Sequence, residues 1–77
     1  MSGNQRLDVN TTYQWRITVQ GPTGDGRIAT QDHHGTYRPR GDGETPVDVM
    51  EELRTDCARR MGIPLHTATA IRFSLTG

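Results

Sequence analysis

Cys57 and the three histidines His33, His34 and His66 are the residues with the chemistry for nucleophilic or metal work. A thiol needs a nearby base to form its reactive thiolate, and a histidine can serve when the fold brings it close. Cys57 falls on the apolar stripe of a helical pattern, where a thiol behaves as a small hydrophobe and burial raises its pKa. Asp32-His33-His34 places three metal-binding groups in a row. Consecutive strand side chains point to opposite faces, so His33 and His34 could share an ion only from a loop, whereas Asp32 and His34 share a face. Zinc takes several convergent ligands, and no spaced ligand pattern is present. No catalytic residue, metal site or cofactor is expected, and the chain is not expected to be an enzyme.

Two short motifs in the same region invite specific readings. Arg40-Gly41-Asp42 is the tripeptide that integrin ligands display, but a chain this rich in Arg, Gly and Asp produces it by chance, and no secretion signal is visible. Gly41-x-Gly43 ahead of a helix resembles a phosphate cradle. Asp42, Glu44 and Asp48 would repel an anion there, and the Walker lysine is missing. Neither motif carries a function.

Seventy-seven residues form one small domain at most, with a thin core. Ile, Leu, Val and Phe number only 13, yet nine arginines balance nine acids, so the strong net charge typical of disordered chains is absent. A core this sparse often needs a metal, a disulfide or a partner chain. Cys57 is the only cysteine, which excludes an internal disulfide and leaves a partner chain, a homodimer above all. No apolar run has membrane-spanning length and no signal peptide is visible, so a cytoplasmic protein without a membrane partner is expected. All nine basic residues are arginine and lysine is absent. The neutral total disfavours an electrostatic nucleic-acid binder, which normally carries a basic excess.

The elements follow from periodicity. In "YQWRITV", Tyr13, Trp15, Ile17 and Val19 alternate with Gln14, Arg16 and Thr18, which predicts a half-buried strand over about 13–20. "QGPTGDG" then supplies a turn, and "RIATQDH" a weakly alternating second strand over about 27–33. Thr45 as N-cap and Pro46 as first helical residue open a helix over about 46–61, with Val49, Met50, Leu53, Cys57 and Met61 on one face. Gly62 suits a left-handed cap. "TATAIRFSLTG" alternates again, predicting a third strand over about 67–75 with Thr69, Ile71, Phe73 and Leu75 on one side. Residues 1–12 read as a flexible segment, residues 13–77 as the domain, and residues 34–45 as a long loop.

These elements predict a small α+β fold of β-β-α-β order, a three-stranded sheet in spatial order 2-1-3 with one helix on one face. The edge of the third strand is expected to be open for pairing with another chain. The functional expectation is a non-enzymatic interaction or regulatory module that self-associates or pairs with a protein partner. Its contacts would come from Thr69 and Ile71 on the third strand and from Tyr37, Arg38 and Arg40 in the loop. The alternative is a nucleic-acid-binding accessory protein using Arg16, Arg27, Arg38, Arg40 and Arg72. Such a protein would lose affinity steeply as salt rises.

Overall fold

The computed structural model describes residues 6–41 and 43–77; the first five residues and Asp42, the third member of the Arg-Gly-Asp tripeptide, lie outside them. The chain runs β1 (Tyr13–Pro22), β2 (Ile28–Tyr37), α1 (Pro46–Met61), a 3-10 turn (Leu65–Thr67) and β3 (Thr69–Thr76). All pairings are antiparallel and the spatial order is β2-β1-β3, the order the sequence predicts. The helix lies over β1 and β3 on one face of the sheet.

Burial explains why β1 is central. Ile17 and Val19 are fully buried and meet Cys57 and Ala58 of α1, Ile63 beyond it and Ala68 ahead of β3. Trp15, Met50, Leu53, Met61, Ala70 and Phe73 pack around that cluster. The helix ends as its sequence requires. Thr45 N–H donates to the Asp48 carboxylate at 3.0 Å, and Asp48 N–H donates to the Thr45 hydroxyl at 3.3 Å, closing a reciprocal cap. At the far end Gly62 adopts φ 73°, a conformation costly for any residue with a Cβ. Ile63 N–H then bonds the Ala58 carbonyl at 2.9 Å, and the Ile63 side chain turns into the core.

Three expectations need correction. Arg27 lies in the turn, and β2 continues past His33 to Tyr37, so the connection to the helix covers only residues 38–45. The strand is hidden in the sequence by Gly35, whose role is spatial: a Cβ there would stand 2.8 Å from the Trp15 ring. The indole of β1 occupies the place where β2 would otherwise carry a side chain. Thr67 is not in β3 either, because the 3-10 turn takes its place.

The third correction concerns parity. Thr18 pairs with Arg72 but Val19 pairs with Ala70, so β3 carries one extra residue, Ile71, at a bulge. Strict alternation therefore fails there. Thr69 and Ile71 are exposed, whereas Phe73 and Leu75, read as their face-mates, are half-buried on the helix side with Trp15 and Ile17. Exchanging Ile17→Ala removes the centre of a core with few other members. Urea denaturation should show a loss of about 2–5 kcal/mol, enough to unfold much of a domain this small at room temperature.

Candidate functional site

The sheet has two outer edges, and they differ. On β2 the ladder with β1 runs ten pairs without interruption, from Pro22↔Ile28 to Tyr13↔Tyr37. The connecting turn fixes which groups face inward. Thr23 N–H donates to the Arg27 carbonyl at 2.7 Å, so the pair beyond Pro22↔Ile28 is a hydrogen-bonded one. Such pairs alternate in an antiparallel ladder. The odd residues Ala29, Gln31, His33, Gly35 and Tyr37 thus spend their main-chain groups on β1. The even residues Ile28, Thr30, Asp32, His34 and Thr36 aim theirs outward, where no described strand lies. Edges of this kind are normally guarded by lysine, proline or a bulge. β2 has none of the three. β3 has the bulge, at Ile71.

The helix-free face of the sheet is polar. Its cross-strand rows are Asp32–Thr18–Arg72 and His34–Arg16–Ser74. The Thr18 hydroxyl donates to the Asp32 carboxylate. Ile71, 53% exposed, and Arg72 both stand over Thr18 because the bulge sets two residues against one. A shallow groove of about 300 Å³ lies between Thr18, Thr30, Asp32, Ile71 and Arg72.

Of the five arginines expected to meet nucleic acid, this face gathers only Arg16 and Arg72. Arg27 sits in the β1–β2 turn, 3.8 Å from Asp25. Arg38 donates to the Val9 carbonyl at 3.4 Å, and Arg40 is drawn to the helix. No aromatic joins the two: Trp15 and Phe73 pack on the core side.

The segment after β2 is held down by its own chain. The Tyr37 hydroxyl donates to Glu44 at 2.5 Å, Arg40 N–H donates to the other oxygen of the same carboxylate at 2.7 Å, and the Arg40 guanidinium grips Glu52 of α1 at 2.5–2.6 Å. Pro39 is buried between them in sequence. Leu7 N–H adds a bond to the Glu44 carbonyl at 2.8 Å, and Asp8 N–H one to the Tyr37 counterpart on β1, the Tyr13 hydroxyl, at 2.9 Å. Burial first, and then the Glu44 carboxylate, push the Tyr37 phenol above its ordinary value. The Tyr37 hydroxyl and the Arg40 main chain hold Glu44 below the usual carboxylate range.

Of Tyr37, Arg38 and Arg40, expected as partner contacts, Tyr37 and Arg40 form this latch, while Arg38 reaches the Val9 carbonyl. Glu44, its hub, reads in the sequence only as one of the acids ahead of the helix; its role depends on β2 reaching Tyr37, which sets the two side chains facing each other across the return.

Arg54 is the other polar organiser that spacing did not reveal. Its guanidinium donates to the carbonyls of Leu65 and Ala68, both at 2.9 Å, and to Glu51 at 2.7 Å. It fixes the turn that delivers β3 to the sheet. Cys57 is 3% exposed, and burial pushes its thiol up. His33 and His34, in the body of β2, point to opposite faces; the His33 Nε2 atom is buried without a hydrogen-bond partner. Among the described residues no group of three His, Cys, Asp or Glu is placed to hold a metal ion, and no helix is long and apolar enough to cross a membrane.

In comparisons with known proteins, the chain matches no family model, no curated protein and no solved structure.

The latch carries a pH dependence of definite sign. Glu44 titrates lower in the folded chain than in the unfolded one, so its contribution is present above the unfolded carboxylate pKa of about 4.3 and fades as pH falls through the lower folded value. Glu44→Gln should remove that acid-side dependence. Thermal melts followed between neutral and acid pH should show the variant losing less stability than the parent on acidification.

Proposed function

We propose that this chain is a non-enzymatic interaction module that binds an extended strand of a protein along the outer edge of β2. One observation carries the reading: an uninterrupted ten-residue edge whose even-numbered main-chain groups face outward, with no lysine, proline or bulge to guard it. Main-chain bonds supply the affinity in this mode of recognition, and side chains on alternate positions supply selectivity.

The sequence points to the edge of β3, with Thr69 and Ile71, as the pairing surface. The bulge at Ile71 makes that edge the poorer template, since it bends the strand and leaves one residue out of the ladder. Thr69 and Ile71 instead border the helix-free face, where they can add contacts to a strand-paired partner. Tyr37 and Arg40 serve the same function indirectly, because the latch holds the end of β2 against the helix, and Arg38 beside them is exposed to add a contact. The nucleic-acid reading finds less support. Two arginines, Arg16 and Arg72, share a face with Asp32, Arg72 in the same row; no aromatic platform lies beside them, and the chain has no net positive charge.

Thr30→Pro tests the reading cleanly. Proline removes an outward N–H from β2 and leaves the β1 ladder intact, because Thr30 gives β1 no main-chain bond. Peptides selected from a random library on the parent chain should bind Thr30→Pro at least about tenfold more weakly, the loss of roughly one to two hydrogen bonds and of strand alignment. Circular dichroism checks that the variant is folded. Selected peptides that bind both proteins equally would overturn the edge as the site.

A further inference from the structure

We propose that the strand that fills the β2 edge is β2 of a second copy, paired antiparallel about a two-fold axis at His33. This rests on the edge reading above and adds to it the identity and register of the partner.

The register follows from three constraints. First, only even residues of β2 present outward main-chain groups, so an even residue must face an even residue across the new ladder. For a two-fold pair this confines the axis to a residue position and excludes axes between residues. Second, the strand spans 28–37, so only axes at residue 32 or residue 33 pair nearly its full length. Third, charge decides between those two. An axis at Asp32 sets two carboxylates directly against each other, which destabilises a strand pair. An axis at His33 sets Asp32 opposite His34 of the second copy, and His34 opposite its Asp32. Each carboxylate then accepts from an imidazole N–H, whether that ring is neutral or charged. The Asp32-His33-His34 run is self-complementary about its own centre.

At the axis His33 meets His33 of the second copy, two rings that can share a hydrogen bond when neutral and whose Nε2 atom has no partner in the single chain. The remaining pairs fit the same register. On the helix side Tyr37 faces Ala29, a large residue against a small one, and Gln31 faces Gly35, where it would lie beside the Trp15 indole that covers the glycine. On the other face Thr30 meets Thr36, a pairing favourable across strands. A two-fold axis perpendicular to the sheet at His33 pairs the edges antiparallel and keeps both helices on one side of the joined sheet. Because α1 lies over β1 and β3, the helix side of β2 has room for the neighbour; no residue of β2 is fully buried in the single chain. The charged groups facing His34 are Asp32 on its own strand and Arg16 across on β1. Arg16 and, in the Asp32 row, Arg72 are the other charges on this face, one and two strands back from the new interface. The result is a six-stranded sheet in the order β3-β1-β2-β2-β1-β3.

Sedimentation equilibrium at pH 7.5 tests the proposal on the full chain. The parent should dimerise at micromolar concentration. His34→Asp opposes two carboxylates twice and should weaken the dimer roughly tenfold or more. The exchange Asp32→His with His34→Asp keeps the composition and re-forms both pairs in reverse order. It should restore the dimer to within about threefold of the parent, a rescue that only this register gives. Circular dichroism on each variant separates lost pairing from lost folding. A parent that stays monomeric at about 100 μM, or a dimer that His34→Asp leaves unchanged or the exchange fails to rescue, overturns the proposal. If the chain is monomeric while library peptides still lose binding in Thr30→Pro, self-pairing falls and the edge reading stands. If those peptides also ignore Thr30→Pro, both fall.

Discussion

The contact between Ile17 and Val19 on β1 and the Cys57–Ala58 turn of α1 is the interaction on which the rest of this structure depends. These are among the few residues from which water is fully excluded, and they sit on the one strand with neighbours on both sides. Every other element is arranged to protect that contact. Trp15 and Phe73 extend it along the sheet, and Ile63 closes it from beyond the helix. Arg54 ties down the chain that returns as β3. A chain with so little apolar material cannot cover three strands with one helix. It covers two, and β2 is left at the margin.

That economy explains what was visible in the sequence and what was not. β1 and α1 show themselves because their patterns are dictated by the shared core: strict alternation in "YQWRITV", and Val49, Leu53 and Cys57 at helical spacing between a Thr-Pro start and a Gly-Pro stop. The order 2-1-3 follows from β1 being the most apolar strand. β2 is poorly visible over its second half because it lies outside the helix's cover, so nothing compels it to alternate apolar and polar. Gly35 completes the disguise, since a glycine that makes room for an indole is indistinguishable in sequence from one that makes a turn.

The same physics governs the site. Asp32, His33 and His34 draw attention as residue types, but their meaning lies in main-chain direction, which residue types do not encode. Only the turn bond from Thr23 to Arg27 and the unbroken register show which amides look outward. Ile71 makes a similar point from the other side of the sheet. A single extra residue in β3 separates Ile71 from Phe73 and Leu75, with which strict alternation groups it, and nothing in "TATAIRFSLTG" marks where that residue enters.

The bulge at Ile71 also bears on stoichiometry. A small sheet with two equally receptive edges has no reason to stop adding neighbours, and identical units joined that way grow into ribbons. Here one edge pairs without interruption and the other carries a surplus residue. Under the proposed pairing of like edge with like, the uninterrupted edge would be used up in both molecules and only bulged ones left outside, so addition would end at its first step. A defect in one strand would then act as a terminator for the whole sheet.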